Sequence, residues 1–446
     1  MSTLNVFSLR NLIRATIISS TLLLFSWYDH GRGSVSDTIM AKWSSKRHHK
    51  CIPIPGLEDI LVILRTGATE SLTKLPVHFR TTLKCMPHYV VYSDIEESVD
   101  GHSVVDALDT VSDVYQVNNS DFELYNRLKK DDRASYDLQE LQQWSSVQNS
   151  GAGMINNPAW KLDKWKLLPL IEKALQYRPD ANWYFFMEAD TAILWLNLAE
   201  WLAKFDKTQP YYLGNQQQIG DVVFGHGGSG FAISKPAMQA AAEKFRNNRD
   251  EYEEFTANHW AGDCVLGKLL KDAGISLTWT WPNLQNAPIS SVKYTANGYS
   301  KRLWCHRAVS YHHMAPEEIE PVWQFEQQLL GRNESCSLKY KDVFERFVLP
   351  YLQPSKDDWD NLSAEHVDLQ AGVDLFEACK DECMRREECL QFSVKEKSCH
   401  VSSDVKLGRP FQEPAGTILQ SGWILDRIDA FVRDMEACGG DQEWAL

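Results

Sequence analysis

Short apolar runs alternate with longer helical runs over most of the chain after Leu57, and this alternation constrains the fold more than any other feature. The apolar runs have the length and composition of β-strands and occupy residues 59–65, 88–94, 113–117 and 183–188. The helical runs show the periodicity of amphipathic helices and occupy residues 70–84, 161–177, 235–249 and 262–273. Alternating strands and helices build α/β layers around a parallel sheet. The sequence therefore predicts an α/β fold with a mainly parallel sheet.

Two carboxylates stand at the end of the most apolar predicted strand. In the segment NWYFFMEADTAILWL (residues 182–196), only Ala189 separates Glu188 from Asp190. Because burial of an unpaired charge costs several kcal/mol, both should face a cavity, a metal or a cationic partner. Ligands of such sheets bind at the carboxyl ends of the strands, so the pair is predicted to border a ligand crevice. Alternatively, Asp190 and Thr191 cap the following helix, which would explain one carboxylate but not two.

The composition is that of a large folded protein with a negative net charge. Of its 446 residues, 43% are hydrophobic, which supports a sizeable core and more than one domain. The chain has 60 acidic and 46 basic residues, for a formal charge of −14. A general nucleic-acid binder needs a basic excess to displace counterions from phosphates. Nucleic acid is therefore disfavoured as a partner, and an anionic ligand must be held by local positive charge.

The N-terminus has the pattern of a secretory targeting segment. Two arginines precede the apolar stretch 15–28, and a polar stretch follows it. This pattern is typical of a cleaved signal peptide, as in a secreted protein, or of an uncleaved signal anchor in the membrane. We favour a signal anchor over residues 1–28, because no small-x-small cleavage motif is evident and Trp27 and Tyr28 suit a membrane interface. Residues 29–55 are predicted to form a stem.

Cysteines and sequons agree with a lumenal location. Ten cysteines fit an oxidising compartment, and N-x-S sequons begin at Asn118, Asn333 and Asn361. Four cysteines lie within residues 379–399, with three, five and nine intervening residues. These spacings do not give the paired C-x-x-C knuckles of zinc sites. The cluster therefore predicts a small module held by disulfides.

Two further segments bring polar residues to the predicted crevice. The run 59–85 has the pattern of a strand, a turn and a helix, which would place Arg65, Thr66 and Lys74 near the top of the sheet. The Gly-rich run 225–234 is typical of a loop that cradles a phosphate, or of a tight turn over a ligand. Both segments therefore suit the binding of a nucleotide-like ligand.

Residues 57–330 resemble glycosyltransferase family 31, the group that contains Fringe and the core-1 β1,3-galactosyltransferases. The resemblance rests on segments in the family's order, which are ILRTGATESLTKLPVHFRTTLKCMPHYVVYSD, WYFFMEADTAILWLNLAEWL, YYLGN followed by GHGGSGFAIS, GDCVLGKLL and SYHHMAPEE. It implies a GT-A fold, which we place at residues 56–345, with a divalent metal, usually manganese, and a UDP-sugar donor. It also implies inversion at the anomeric centre and, with the anchor, a single-pass type II protein of the Golgi membrane.

The resemblance also implies roles for individual residues. Asp190 matches the last Asp of the family's Asp-x-Asp motif, a metal ligand, and Glu188 matches the first position, near the ribose and sugar. His312 matches the third protein contact to the metal, with His313 as the alternative because the histidine is doubled. Asp263 matches the carboxylate proposed as general base. We assign donor binding to Arg65, Thr66, Lys74, Glu188 and Gly228.

Elementary chemistry agrees with these roles. A divalent ion neutralises the charge of a diphosphate leaving group, and oxygen ligands with an imidazole suit manganese. Inversion by direct displacement needs one base for the acceptor hydroxyl. Plainer interpretations stay open, with Asp263 as a helix N-cap and His312 as a structural or surface histidine. The motif departs from the family at two positions. Many members carry another acid where this chain has Ala189, and Glu188 is longer than an aspartate. These departures affect the expected donor contact at 188 and leave the metal ligand at 190 intact.

The C-terminal region resembles a PAN/apple module at residues 361–425, with a linker at 346–360 and a tail at 426–446. The resemblance rests on VDLFEACKDECMRREECLQFSV followed by CHVSSDVKLG. It implies two nested disulfides among the clustered cysteines, Cys379 with Cys399 and Cys383 with Cys389. Such modules bind protein or carbohydrate, so this one would present the acceptor, or it is a packing appendage.

Together these features predict an inverting, metal-dependent glycosyltransferase. It would move a hexose of the galactose, glucose or N-acetylglucosamine type from a UDP-sugar to a hydroxyl of a glycan or glycoprotein, in β1,3 linkage. The alternative is a non-catalytic secretory carbohydrate-binding or adaptor protein with a degenerate GT-A domain. Ala189, in place of the middle acid, favours this alternative. The presence of Asp190, Asp263 and His312 together argues against it. A glycoside hydrolase also needs two carboxylates, but it has no use for the nucleotide-like start at residues 59–85.

Overall fold

A computed structural model of the chain describes residues 51–145, 157–298, 301–332, 338–369, 374–411 and 419–435, together with Cys438 and Trp444. The predicted anchor and most of the predicted stem lie outside the described residues. Within them, no helix combines the length and the hydropathy that a membrane crossing needs.

The described residues alternate between short strands and helices along the chain. The strands are β1 (Ile60–Arg65), β2 (Tyr89–Ser93), β3 (Glu97–Val99), β4 (His102–Asp106), β5 (Trp183–Glu188), β6 (Ala192–Ile193), β7 (Tyr212–Gly214), β8 (Gln216–Ile219), β9 (Val222–Gly225), β10 (Phe231–Ser234), β11 (Leu277–Trp279), β12 (Asn297–Gly298), β13 (Lys301–Arg302), β14 (Ser310–Tyr311), β15 (Lys356–Asp357), β16 (Trp359–Asp360), β17 (Glu365–Val367), β18 (Gln391–Lys395), β19 (Ser398–Ser402), β20 (Arg409–Pro410) and β21 (Leu419–Trp423). The α-helices are α1 (Ser71–Arg80), α2 (Asp113–Asn118), α3 (Glu123–Asp131), α4 (Leu138–Ser145), α5 (Pro158–Tyr177), α6 (Trp195–Leu202), α7 (Lys235–Asn247), α8 (Arg249–Asn258), α9 (Gly262–Asp272), α10 (Pro316–Gly331), α11 (Tyr340–Phe347), α12 (Leu375–Arg385) and α13 (Leu425–Met435).

The central sheet has eight strands in the order β11-β7-β10-β5-β1-β2-β4-β3. Strand β1 is parallel to β2 and β5, β2 is parallel to β4, and β7 is parallel to β11. Strand β10 is antiparallel to both of its neighbours, and β3 is antiparallel to β4. The sheet is therefore mixed and mostly parallel, and the predicted α/β class is confirmed.

Both faces of the central sheet are buried, which explains why its inner strands are apolar throughout. Because successive side chains point to opposite faces, Leu61 and Ile63 of β1 pack with residues of α5 and α9. Ile60, Val62 and Leu64 pack on the other face with residues of α1 and α6. The helical runs predicted at 70–84, 161–177, 235–249 and 262–273 correspond to α1, α5, α7 and α9.

One predicted strand is wrong, because residues 113–117 belong to helix α2. The β-branched residues that suggested a strand, Val114 and Val117, are 58% and 75% exposed. The residue that is buried is Gln116, whose side-chain amide donates to the carbonyls of Leu108 and Val111 (3.2 and 2.7 Å). Burial on one helical face has overridden the local β-propensity here.

The C-terminal region contains a second, antiparallel sheet in the order β15-β21-β18-β19-β17, and α12 lies against its strands β18 and β19. The structure contains both disulfides that the PAN/apple resemblance implies, Cys379–Cys399 and Cys383–Cys389. Residues placed in the predicted linker supply β15 and β16, and residues placed in the predicted tail supply α13. The domain boundaries stay predictions.

The small sheet is fastened to the α/β domain by packing and by covalent bonding. Trp423 of β21 and Ile428 of α13 belong to the same apolar cluster as Trp304 and Phe344. A disulfide joins Cys305 to Cys438, which follows α13, and a separate disulfide within the α/β domain joins Cys51 to Cys85. The described residues from Cys51 onward form one compact unit.

Two of the three sequons differ in their accessibility. Asn118, at the end of α2, is exposed. Asn361 is fully buried, and its side-chain amide donates to the carbonyls of Phe392 and Gly422 (2.9 and 3.3 Å). The third sequon, at Asn333, lies outside the described residues. Of the two described sequons, the fold thus leaves only Asn118 open to modification.

Candidate active site

The predicted site lies where the order of strands reverses in the central sheet. From β1 the chain proceeds outward to β2 and β4, and then returns to β5 on the other side of β1. The last residues of these two parallel neighbours, Arg65 and Glu188, are register partners. Ligands of open α/β sheets bind outside the carboxyl ends of the strands at such a reversal. The carboxylates of Glu188 and Asp190, at the end of β5 and just after it, therefore lie where this topology favours a ligand.

Asp190 does not cap the helix that follows it, because α6 begins only at Trp195. Thr191 is directed toward the Gly-rich loop instead. Its hydroxyl donates to the carbonyl of Gly228 (2.8 Å) and accepts from the backbone N–H of Glu188 (3.2 Å). The capping alternative for Asp190 and Thr191 is therefore wrong.

Antiparallel pairing of β6 with β14 brings the histidine segment beside the carboxylates. The backbone N–H of Met314 also donates to the carbonyl of Asp190 (2.9 Å). His312 Nε2 lies 3.2 Å from Asp190 Oδ1 and 3.4 Å from Glu188 Oε2. His313 Nδ1 lies 3.9 Å from Asp190 Oδ2. The structure thus places both histidines next to the acidic motif.

The two histidines differ in exposure. The side chain of His312 is 6% exposed, whereas that of His313 is 43% exposed. Their ring centroids are 3.8 Å apart, and the backbone of His313 has a left-handed φ of 57°. This conformation is uncommon for a residue other than glycine and is often found at functional sites. His312 is thus the buried contact of Asp190, and His313 is the contact nearer to solvent.

Gly228 leaves room for the ring of His312, because a side chain at position 228 would collide with that ring. A Cβ at position 228 would lie 2.1 Å from Cε1 and 2.2 Å from Nε2 of His312. The loop is fixed to the histidine segment, because the hydroxyl of Ser310 donates to the carbonyl of Ser229 (2.5 Å). We predicted a donor contact for Gly228, and the structure gives it a role in positioning His312.

The charges around Asp190 stabilise one another. Burial lowers the pKa of His312, but the carboxylates of Asp190 and Glu188 outweigh burial and raise this pKa to about 9. Burial raises the pKa of Asp190, but His312 and Lys74 outweigh burial and lower it to about 2. Burial likewise opposes ionisation of Glu188, yet Arg65 and His312 hold its pKa well below the ordinary value. Both carboxylates are therefore charged at neutral pH, and the positive charge between them is that of the His312 ring.

A second cluster surrounds the buried guanidinium of Arg65 at the end of β1. The guanidinium bonds to Glu188, its Nη1 lies 3.2 Å from Asp163 Oδ2, and its Nη2 lies 3.8 Å from Asp263 Oδ1. Burial alone lowers the pKa of Arg65, but these three carboxylates raise it above its ordinary value. Because Glu188 contacts both Arg65 and His312, it connects the two clusters.

Asp263 lies in the first turn of α9 and faces the Gly-rich loop. Its carboxylate accepts from the backbone N–H of Gly227 (2.8 Å), which belongs to a different segment. Because α9 begins at Gly262, Asp263 is not the N-cap residue, and that alternative is wrong. Burial raises the pKa of Asp263, although Arg65 opposes this. A partly exposed carboxylate with a raised pKa suits a general base.

The residues around Asp190 fit a divalent metal. One ligand atom from each of Asp190, His312 and His313 falls within a group whose members are within 4.8 Å of one another. His312 Nδ1 is buried and has no hydrogen-bond partner in the described part of the chain. Such unsatisfied buried atoms are rare and call for an explanation. Carboxylate oxygen with imidazole nitrogen is a donor set that suits manganese.

The remaining predicted donor residues occupy different places. Lys74 Nζ lies 3.3 Å from Asp190 Oδ2 and 2.6 Å from Glu70 Oε2, so it belongs to the cluster around Asp190. The hydroxyl of Thr66 donates to Glu70 (3.1 Å), and its carbonyl accepts from Lys166 (2.7 Å). These contacts direct Thr66 toward α1 and α5 rather than toward the carboxylates.

Sequence reasoning missed three residues of the site. Asp163 lies in a helical run where a charged residue is ordinary, so no local signal marks it. His226, whose ring centroid is 5.3 Å from that of His312, stands in the Gly-rich run, and that position was a usable signal. His78 bonds through Nε2 to the carbonyl of Ala189 (2.8 Å), and burial lowers its pKa to about 4. His78 is therefore a neutral ring at neutral pH, and it holds the backbone of the acidic motif at Ala189.

Comparison of the sequence with models of protein families and with curated proteins gave no match. We therefore infer the function from the residues of the site.

We expect Gly228→Ala to weaken metal binding, because the new methyl group must displace the ring of His312. The Mn²⁺ affinity, measured by electron paramagnetic resonance, should fall by at least about tenfold. Gly331→Ala is the matched control, because its Cβ would lie 3.6 Å from Ile52, an ordinary contact. Equal Mn²⁺ affinity in the two folded variants would show that His312 is not a ligand.

Proposed function

We propose that this protein is a metal-dependent, inverting glycosyltransferase similar to family 31, which transfers a hexose from a UDP-sugar to a glycan hydroxyl in β1,3 linkage. The observation that carries the proposal is the continuous cluster at the strand reversal. In this cluster Glu188 joins the metal-binding set of Asp190 and His312 to the pair of Arg65 and Asp263.

The sheet supports the finer fold assignment that goes with this function. Its parallel strands, its reversal beside β1 and the antiparallel insertion of β10 are compatible with a Rossmann-like domain. We infer that this domain has the GT-A fold, and that the site at its carboxyl edge takes the nucleotide-sugar.

The donor half of the site would be organised by Asp190. Asp190 and His312 would hold a divalent ion, with His313 beside them, and the ion would supply positive charge against the diphosphate leaving group. The ammonium of Lys74 lies next to Asp190 and adds a second positive charge there. Glu188 is held by Arg65 and offers an acceptor oxygen for the hydroxyls of the ribose or sugar.

The acceptor half would be organised by Asp263. Its carboxylate takes the proton of the acceptor hydroxyl as the acceptor oxygen bonds to the anomeric carbon and the bond from that carbon to the UDP oxygen breaks. Attack from the face opposite the leaving group inverts the anomeric centre. Gly227 N–H and Arg65 hold the carboxylate in one orientation, which reduces the entropy lost on reaching the transition state.

We place the enzyme in the secretory pathway, as a type II protein of the Golgi membrane. The four disulfides within the described residues support an oxidising lumen. The proposed partners are the UDP-sugar, a glycan or glycoprotein acceptor and the membrane.

The test is incubation of the purified protein with Mn²⁺ and, separately, UDP-galactose, UDP-glucose and UDP-N-acetylglucosamine, each with and without mixed glycan acceptors. Release of UDP should occur with one class of donor and should increase with acceptor. Binding of glycans without UDP release from any donor would favour the non-catalytic alternative and overturn the proposal.

A further inference from the structure

Four aromatic rings stack in a ladder that runs from the end of α8, through the connection to α9, to the start of α5. The ring centroids of Phe255 and His259 are 5.3 Å apart, those of His259 and Trp260 are 6.2 Å apart, and those of Trp260 and Trp160 are 6.2 Å apart. The planes of these successive pairs differ by only 22°, 10° and 23°. Trp260 is 42% exposed, and Trp160 is partly exposed.

The exposure of Trp260 does not come from a loose segment. The ammonium of Lys164 donates to the carbonyls of Ala257 and His259 (3.3 and 2.9 Å), which ties the segment to α5. Gly262 packs so closely on the same helix that a Cβ there would lie 2.7 Å from the Cα of Lys164. Burying an aromatic ring of this size would stabilise the fold. A ring that an anchored backbone instead keeps at the surface is available to bind a ligand.

The ladder adjoins the acceptor half of the candidate site. Trp160 precedes Asp163 by three residues on α5, and Trp260 lies in the connection before α9, three residues before Asp263 of its first turn. Residues three apart on a helix share a face, so Trp160 and Asp163 lie on one face of α5 within about one turn, which spans about 5.4 Å. Both carboxylates contact the guanidinium of Arg65. Trp160 thus lies about one helical turn from Asp163, which contacts the same guanidinium as the proposed base Asp263.

We propose that Trp260 and Trp160 form the platform on which a pyranose ring of the acceptor stacks. This inference rests on the proposed transferase function and names the substrate class of its acceptor half. A pyranose has an apolar face of C–H bonds and a rim of hydroxyls. The indole rings match the face, and the neighbouring carboxylates match the rim. Stacking there positions one hydroxyl of the acceptor for Asp263.

The experiment measures glycan binding separately from turnover. Saturation-transfer NMR of the full chain is recorded with the methyl β-glycosides of galactose, glucose and N-acetylglucosamine, for the wild type, Trp260→Ala, Trp260→Phe and Trp160→Ala. Tyr177→Ala is the matched control, because Tyr177 is an exposed aromatic at the other end of α5. The affinity for UDP with Mn²⁺ is measured on the same samples.

We expect Trp260→Ala and Trp160→Ala to weaken glycoside binding, and to raise the acceptor KM, by at least about tenfold. Trp260→Phe should restore part of the loss, and Tyr177→Ala should match the wild type. Unchanged glycoside affinity in Trp260→Ala, no glycoside binding by the wild type, or a loss of UDP affinity instead would overturn the platform. Glycoside binding that depends on Trp260 in a protein that releases no UDP would retain the platform and remove the transferase.

Discussion

Replacing Asp190 with Asn should reduce the affinity for Mn²⁺ and the rate of sugar transfer together, each by at least about 100-fold. The amide keeps the size of the side chain but loses the negative charge that faces His312 and Lys74. Addition of EDTA to the wild-type protein should have the same effect on transfer, and Mn²⁺ should reverse it. Electron paramagnetic resonance of bound Mn²⁺ measures the affinity, and UDP release measures the rate.

Asp221→Asn is the matched control, because Asp221 pairs with Lys271 on the surface (2.7 Å) and is 89% exposed. It should bind Mn²⁺ and transfer sugar as the wild type does. Full transfer in EDTA, or normal Mn²⁺ affinity in Asp190→Asn, would contradict the metal-dependent mechanism and leave the acidic motif as a structural ion cluster.

Asp263→Asn should slow transfer by about 10²–10⁴-fold while donor binding stays near the wild-type value. The amide oxygen can still accept from the N–H of Gly227, but it cannot take a proton from the acceptor hydroxyl. Asp190→Asn, in contrast, should weaken donor binding as well as turnover. Single-turnover rates and the Kd for UDP with Mn²⁺ separate these two patterns.

The dependence of the rate on pH provides a second measurement of the same residue. Burial raises the pKa of Asp263 above 3.8, its ordinary value, and a base works only when deprotonated. The wild-type rate should therefore fall as pH decreases through this raised pKa, and Asp263→Asn should lack that acidic limb. Asp272→Asn, at the other end of α9, is the control. Near-normal transfer by Asp263→Asn would show that the base lies elsewhere.

The sequence was sufficient for features that depend on a few neighbouring residues. The strand 183–188 has the observed bounds, and its position in an α/β sheet placed Glu188 and Asp190 at the crevice edge. The helix predicted from residue 262 placed Asp263 in a first turn. The structure brings both segments to one edge of the sheet, and the catalytic and metal-binding roles stay predictions.

Features that depend on tertiary packing could not be predicted. Arg65 was assigned to the donor, but its guanidinium is surrounded by carboxylates, one of which, Asp163, comes from α5. The direction of β10 is not encoded in its pattern, because parallel and antiparallel buried strands are equally apolar. Residues 113–117 lie in a helix whose buried side chain is that of Gln116, whereas Val114 and Val117, which suggested a strand, are exposed.

The disulfide between Cys305 and Cys438 affects how the protein must mature. Its partners are 133 residues apart, and the small sheet lies between them in the chain. Because synthesis delivers the N-terminal part first, Cys305 cannot form this disulfide until Cys438, which follows α13, has been made. The segment with His312 follows Cys305 closely, so this covalent bond can hold the candidate site only after the small sheet has been made. A C-terminal region that fails to fold would therefore leave the segment with His312 without this covalent restraint.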